Sequence, residues 1–154
     1  MKKSNYLTKY SFAVYGLGLS GRSVVRHLKR KRVKKIFTWD DKIFYKNKKK
    51  KTLFKESLNK VDYIVMSPGI SVRNSKNREY LLKNRKKIIT DLDLFYLENN
   101  SIRTLVVTGT NGKSTTCKLL EHLLKKNKTD VKLGGNIGKP VLDLKIRKNT
   151  TVVI

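Results

Sequence analysis

One segment constrains the fold of this chain more than any other, because an apolar run enters a glycine-rich turn that leads into a helical pattern. The apolar run ends at Val107, the turn covers residues 108–112, and Lys113 and Ser114 open the helical pattern. A turn between a strand and a helix directs backbone N–H groups toward one point, where a phosphate can bind. The common phosphate-loop pattern has glycine at the position of Val107, so this segment is a variant of it. A chance Gly-Lys-Ser sequence in a surface loop is the alternative.

A second glycine-rich turn, with complete G-x-G-x-x-G spacing, lies near the start of the chain. The apolar segment Phe12–Tyr15 runs into residues 16–21, and apolar residues at helical spacing follow over residues 23–32. The next apolar segment, Ile36–Trp39, ends in two acids, Asp40-Asp41. A glycine-rich turn between strand and helix, with an acid after the next strand, is typical of dinucleotide-binding folds.

This fingerprint predicts a bound nucleotide but does not distinguish NAD from a nucleotide-sugar. A fragment of an NAD(P)-binding Rossmann oxidoreductase is therefore one alternative, although it leaves residues 108–115 unexplained. Asp40 and Asp41 each have a further interpretation, as polar residues of a turn at a strand end.

The remaining sequence continues to alternate strands with helices. We predict strands over residues 61–66, 87–89, 104–107 and 151–154, and helices over residues 79–84, from about residue 90, and over residues 114–126. The polar segment at residues 98–101 separates two such patterns. The fold class is therefore α/β, with a Rossmann-like parallel-sheet domain over residues 1–100 and the start of a P-loop-type domain over residues 101–154.

The strongly basic composition suggests a second alternative function. The chain has 37 lysines and arginines against 11 acidic residues, a formal net charge of +26. Such a charge is typical of nucleic-acid-binding proteins or of proteins on anionic membranes. The lysines are scattered, as in residues 46–51, and no aromatic residues alternate with them to form a base-stacking platform. We therefore favour a solvated basic surface that attracts phosphorylated small molecules, and expect no specific nucleic acid as partner.

The cysteine content and the hydropathy of the sequence predict the cellular compartment of the protein. Cys117 is the only cysteine, so an internal disulfide is excluded, and we interpret this residue as a small buried side chain. No run of about 18 apolar residues occurs, so no membrane span is predicted. We expect a cytoplasmic protein with no membrane partner, monomeric at full length.

Four short motifs occur in one order along the chain, and together they resemble the Mur ligases, which are ATP-dependent ligases. The motifs are GLGLSG from Gly16, SPGI from Ser67, TGTNGKST from Thr108 and GGNIGKP from Gly134. GTNGK alone is shared with folate polyglutamate ligases, whereas the other three motifs are similar to those of the D-glutamate-adding branch. The resemblance covers the whole chain, which holds the UDP-binding domain and the opening of the ATP-binding domain of a three-domain family.

The resemblance implies a ligase of peptidoglycan precursor synthesis that uses ATP and Mg²⁺ to join D-glutamate to UDP-N-acetylmuramoyl-L-alanine through an acyl phosphate. Lys113 then has the catalytic role, on the β- and γ-phosphates, and Ser114 binds the metal. The residues implied to bind ATP are Gly109, Thr110, Asn111, Gly112, Lys113, Ser114 and Thr115. Those implied to bind the UDP substrate are Leu19, Ser20, Asp40, Asp41, Gly69 and Asn136.

Other parts of the family pattern have no match in this sequence. They are a metal-binding glutamate after a strand that resembles residues 151–154, a modified lysine, a metal-binding histidine and a C-terminal amino-acid-binding domain. We therefore expect a truncated ligase that is inactive alone.

Overall fold

The computed structural model describes residues 6–44 and 46–154. The chain divides into two compact units, Met1–Asp93 and Leu94–Ile154. Each unit is built on its own parallel sheet with helices between the strands. The α/β parallel-sheet class predicted from the sequence is therefore confirmed.

The sheet of the first unit has four parallel strands in the order β2-β1-β3-β4. They are β1 Phe12–Tyr15, β2 Ile36–Trp39, β3 Tyr63–Met66 and β4 Ile88–Ile89. The helices are α1 Leu19–Arg30, α2 Lys48–Lys60, α3 Arg78–Lys83 and α4 Asp91–Glu98, and short 3-10 helices lie at Tyr6–Lys9 and Arg85–Lys87. Since β1 pairs on both sides, all four of its residues are buried, as expected for an inner parallel strand.

One core cluster of the first unit lies between the sheet and α2, and it contains the aromatic residues Tyr15, Trp39 and Phe54. Phe54 of α2 packs edge-on against Tyr15, with ring centroids 5.7 Å apart, and stacks on Trp39 at 6.0 Å. Leu58, one turn later, is fully buried. These contacts fix α2 over the ends of β1 and β2, where the candidate site begins.

Helix α2 was not predicted, because its first turn is a run of lysines. Such charges oppose the helix dipole at an N-terminus. The side chain of Asn47 caps the helix instead, since its Oδ1 accepts the Lys50 N–H at 2.9 Å. Burial of Phe54 and Leu58 supplies the remaining stabilisation.

The second unit has three parallel strands in the order β5-β7-β6. They are β5 Arg103–Leu105, β6 Val131–Leu133 and β7 Thr151–Val153, and α5 Lys113–Lys126 follows β5. Cys117, Val131 and Val153 form the buried cluster, as expected for a small buried cysteine. Strand β6 was not predicted, because Lys132 interrupts its two apolar residues and leaves no apolar run.

The predicted edges of several elements differ from the structure. The helix expected from residue 23 begins at Leu19, so part of the glycine-rich turn is already helical. Strand β5 ends at Leu105, yet its pairing continues, because the Val107 N–H donates to the Ile154 carbonyl at 2.8 Å. Helix α4 contains the division between the two units, which falls after Asp93, and it ends at Glu98. Within residues 6–44 and 46–154, no helix combines the length and hydropathy that crossing a bilayer requires.

Candidate functional site

The glycine-rich turn after β1 requires glycine at its two ends and is open in its middle. Gly16 has φ +95°, and a Cβ there would lie 2.7 Å from the Ile70 side chain. A Cβ on Gly21 would lie 1.7 Å from the Gly16 carbonyl oxygen. No atom lies within 4 Å of a Cβ built on Gly18. The turn is therefore packed tightly on the protein side, while Gly18 leaves room for a ligand.

Asp40, directly after β2, holds this turn in place. Its Oδ2 accepts the Leu17 N–H at 2.7 Å, and its Oδ1 accepts the N–H groups of Lys42 and Ile43 at 2.9 and 3.2 Å. Burial favours a higher pKa for Asp40, but these three N–H donors outweigh it and the pKa is lowered. The carboxylate is thus ionised and fixes the turn, and Oδ2 retains capacity for a further donor.

Asp41 faces aromatic side chains of the same unit. The Tyr15 hydroxyl donates to its Oδ2 at 2.6 Å, and the Trp39 indole Nε1 donates to its Oδ1 at 2.8 Å. Burial, followed by the hydrogen bond to Asp41, raises the pKa of Tyr15 to about 12. Asp41 therefore braces the ends of β1 and β2, and a role in ligand binding stays a prediction.

The segment after β3 is attached to the same turn. The Ser67 hydroxyl donates to the Gly16 carbonyl at 3.0 Å, and the Ser67 N–H donates to the Tyr15 carbonyl at 3.0 Å. Gly69, at the tip, is exposed and has no neighbour within 4 Å of a Cβ built on it. Leu19 is also exposed, at 80%. Turn, acids and tip thus meet at the carboxyl edge of the sheet, where open α/β sheets bind ligands.

Sequence reasoning did not find Ser67 or Asp91 as site residues. Asp91 at the start of α4 is only 7% exposed, and burial raises its pKa while a hydrogen bond from Ser20 opposes the rise. Ser20 is one of the predicted substrate residues, so Asp91 orients a residue of the turn. Both contacts join residues far apart in sequence, and the local signal for Asp91 was only its place at a predicted helix start.

The candidate phosphate loop of the second unit lies between β5 and α5. Gly109 has φ +145° and Gly112 has φ +75°, conformations that side chains rarely adopt. Gly112 is the N-cap residue of α5 and has no side-chain cap. Further residues of the loop and of the first helical turn are exposed, namely Thr108, Thr110, Asn111, Ser114 and Thr115.

Lys113 folds back over this loop. Its Nζ donates to the Gly109 carbonyl and, at 2.9 Å, to the Thr110 carbonyl. The ammonium group is thereby held at the loop instead of extending into solvent. A cation and exposed N–H groups at one helix start are what a phosphate chain requires.

A second loop of this unit, residues 134–139, flanks the same edge of the sheet. The Gly134 N–H donates to the Val153 carbonyl at 3.0 Å, and a Cβ on Gly135 would lie 2.9 Å from the Ile154 side chain. Asn136 at its tip is exposed. Because β7 lies between β5 and β6, this loop and the phosphate loop lie on either side of Ile154.

Metal ligands are sparse in the described part of the chain. No group of three or more His, Cys, Asp or Glu side chains there could hold a metal ion. The Ser114 hydroxyl, exposed at the start of α5, fits Mg²⁺ only in combination with oxygens of a bound phosphate.

No family model matches the chain. The chain is 36% identical over 154 residues to the UDP-N-acetylmuramoylalanine–D-glutamate ligase of Rickettsia bellii, and the alignment covers 94% of the chain and 33% of the relative. The chain is also 36% identical over 129 residues to the ligase of the same name from Aquifex aeolicus, and that alignment covers 84% of the chain and 29% of the relative. The chain thus spans about a third of the length of the curated relatives it matches.

A solved structure shows the same fold. It is the UDP-N-acetylmuramate:L-alanyl-gamma-D-glutamyl-meso-diaminopimelate ligase from Neisseria meningitides, with a TM-score of 0.51 and 17% identity, over 94% of this chain and 52% of that one. The resemblance seen in the four motifs is therefore confirmed, and the chain is related to the Mur ligase family, within which it matches the N-terminal part of the UDP-N-acetylmuramoylalanine–D-glutamate ligases.

Proposed function

We propose that this chain provides the UDP-substrate site and the ATP site of a ligase that adds D-glutamate to UDP-N-acetylmuramoyl-L-alanine. The observation that carries the proposal is the presence, in one chain, of two different glycine-rich sites. Each lies at the carboxyl edge of its own parallel sheet. The names of the relatives suggest the substrates, and the presence of one site in each unit supports a separate part of the reaction for each.

The first unit binds the UDP portion of the substrate. Gly18 and Gly69 leave the backbone open to a diphosphate, and Asp40 can accept one more hydrogen bond, from a ribose or a base. Leu19 offers an exposed apolar side chain to a ring, and Ser20 a hydroxyl. In this proposal, Asp41 acts through its contacts with Tyr15 and Trp39.

The second unit binds ATP and supports phosphoryl transfer. A carboxylate oxygen of the substrate alanine attacks the γ-phosphorus and ADP leaves, and the D-glutamate amine then displaces phosphate and forms the amide. Lys113 moves from the Gly109 and Thr110 carbonyls to the phosphate oxygens, where negative charge develops. Mg²⁺, held through Ser114 and phosphate oxygens, would neutralise part of that charge. Asn136, on the neighbouring loop, faces the substrate in this proposal.

The 154 residues are proposed to bind both ligands without catalysing ligation. The described residues contain no cluster of three metal ligands, and the chain spans only a third of its relatives. Incubation with ATP, Mg²⁺, D-glutamate and the UDP substrate should release no ADP. Release that depends on D-glutamate would contradict this part of the proposal.

Two other functions have a specific observation in their favour, and one titration distinguishes all three. The G-x-G-x-x-G turn with Asp40 is compatible with NAD, and the +26 charge is compatible with nucleic acid. We expect calorimetry of the chain to give tighter binding of UDP-N-acetylmuramoyl-L-alanine than of NAD, and only salt-sensitive binding of a short DNA duplex. NAD as the tighter ligand would overturn the proposal for the first unit.

A further inference from the structure

Arg22 lies in the first turn of α1, directly after the glycine-rich turn of the first unit. Its Nε donates to the Leu17 carbonyl at 2.8 Å, and its backbone N–H donates to the Gly18 carbonyl at 3.0 Å. The N–H of the same Leu17 donates to Asp40 at 2.7 Å, so this residue is held from both sides. The exposed guanidinium is therefore fixed on the turn instead of extending into solvent.

The contact with Leu17 uses only one edge of the Arg22 guanidinium. Nε carries a single N–H, and the two Nη groups carry the remaining donors. Among the described residues, no acidic side chain and no second carbonyl bonds the Arg22 side chain. Gly18, which follows Leu17, has no atom within 4 Å of a Cβ built on it. A cation with free donors is thus fixed next to the part of the turn that leaves room for a ligand.

The charge of Arg22 opposes the stability of α1 when no ligand is bound. A helix start carries partial positive charge and N–H groups without partners inside the helix. The first turn of α1 has no acidic residue, and Gly18 at its N-cap offers no side chain. Helix α4, by contrast, has Asp91 and Asp93 in its first turn, and α2 is capped by the Asn47 side chain. A cation at the uncapped start of α1 becomes favourable when an anion binds there, and the same N–H groups suit that anion.

We propose that Arg22 binds the diphosphate of the UDP substrate, together with the N–H groups at the start of α1, and so sets the preference of this site for a diphosphate over an uncharged nucleoside. The inference rests on the function proposed above for the first unit. A guanidinium binds phosphate oxygens through paired N–H groups, and the Leu17 contact reduces the side-chain freedom that is lost on binding. Arg22 lies just outside the GLGLSG motif, which ends at Gly21, so the motif does not include it.

The test is a pair of titrations of the isotope-labelled 154-residue chain, one with UDP and one with uridine, followed by NMR. We expect Arg22→Met to weaken UDP binding about tenfold, because it removes a charged contact and keeps an apolar stem. Uridine binding should not change in this variant, since uridine has no phosphate. Lys29→Met is the control, because it removes an equal charge from the exposed surface of the same helix, near its other end. It should leave both affinities unchanged.

Arg22→Lys separates the charge from the shape of the guanidinium. A lysine keeps the charge but lacks the planar group that can hold Leu17 and a phosphate together, so its UDP affinity should lie between those of Arg22→Met and the wild type. Trp39 fluorescence checks that each variant retains the folded first unit. Equal UDP affinities of Arg22→Met and Lys29→Met, or equal weakening of UDP and uridine by Arg22→Met, would overturn the inference and leave the proposed function intact. A wild-type chain that does not bind UDP would overturn both.

Discussion

The two glycine-rich turns of this chain hold their shapes by different means. In the first unit, Asp40 accepts the Leu17 N–H and the Ser67 hydroxyl donates to Gly16, so distant elements brace the turn. In the second unit, residues 108–112 are exposed, and the Lys113 ammonium holds the loop by donating to two of its carbonyl oxygens. The first turn is therefore preorganised for a ligand, whereas the second must exchange its lysine contacts for those of a phosphate.

The largest effect is expected from Gly21→Ala, because the new Cβ would lie 1.7 Å from the Gly16 carbonyl oxygen. We expect the first unit to lose about 3 kcal/mol of unfolding free energy. Trp39, the only tryptophan and 1% exposed, reports unfolding of this unit by fluorescence in a urea titration. Gly18→Ala is the matched control, since its site is open and its φ is −68°. Similar midpoints for the two variants would show that the turn is not braced as described.

Tyr15→Phe tests the brace from Asp41 and should cost about 2 kcal/mol at neutral pH, because it removes a hydroxyl that bonds Asp41 and Ser75 and leaves the Asp41 Oδ2 without that donor. The pKa of Tyr15 is raised from 10.0 to about 12 in the folded chain. Its protonated hydroxyl therefore stabilises the fold fully below pH 10 and progressively less between pH 10 and about 12. The difference in stability between wild type and variant should narrow over that window, and a constant difference would contradict the assignment.

Asp40→Asn should destabilise the first unit by about 1.5 kcal/mol at pH 7, since an amide accepts fewer hydrogen bonds and carries no charge. The lowered pKa of Asp40 means that its contribution is complete above the ordinary carboxyl pKa of about 4 and is lost as the pH falls through the lower folded value. Urea titrations of wild type and variant should converge toward acidic pH. A difference that persists when the carboxyl is protonated would indicate that charge plays no part.

Gly112→Ala, in the turn of the second unit, should be milder than Gly21→Ala. No atom lies within 4 Å of the new Cβ, so only the φ of +75° is unfavourable. We expect a loss of about 1 kcal/mol in the second unit. Cys117, the only cysteine and 1% exposed, reports its opening through the rate of thiol labelling. A loss as large as that of Gly21→Ala would mean that the second turn is also tightly packed.

The sequence was sufficient to predict the elements next to the two turns, because glycine spacing and apolar runs are local signals. Strands β1 and β2 were predicted at their observed bounds. Helix α2 was missed because lysines outnumber the apolar residues of its buried face, and β6 was missed because Lys132 interrupts its apolar residues. The acids after β2 were correctly placed at a strand end, but no local pattern shows that Asp41 contacts Tyr15 and Trp39.

The site residues that sequence reasoning missed act across long separations. The Ser67 hydroxyl donates to the Gly16 carbonyl, and the Asp91 carboxyl is hydrogen-bonded to the Ser20 side chain. Neither contact can be predicted from the residues next to it in the sequence. Motifs therefore predict where ligands approach the backbone, while the contacts that stabilise those motifs come from the tertiary structure.

Each unit is proposed to have its own nucleotide site, and titration calorimetry of Lys113→Ala tests this separation directly. We expect the variant to bind ATP with Mg²⁺ about 30-fold more weakly, since a charged contact of about 2 kcal/mol is lost. Its affinity for UDP-N-acetylmuramoyl-L-alanine should not change. Lys125→Ala is the control, because it removes an exposed lysine of α5 whose ion pair with Glu121, at 2.8 Å, contributes little. Equal ATP affinities for the two variants, or a parallel loss of the UDP ligand in Lys113→Ala, would contradict the assignment of two separate sites.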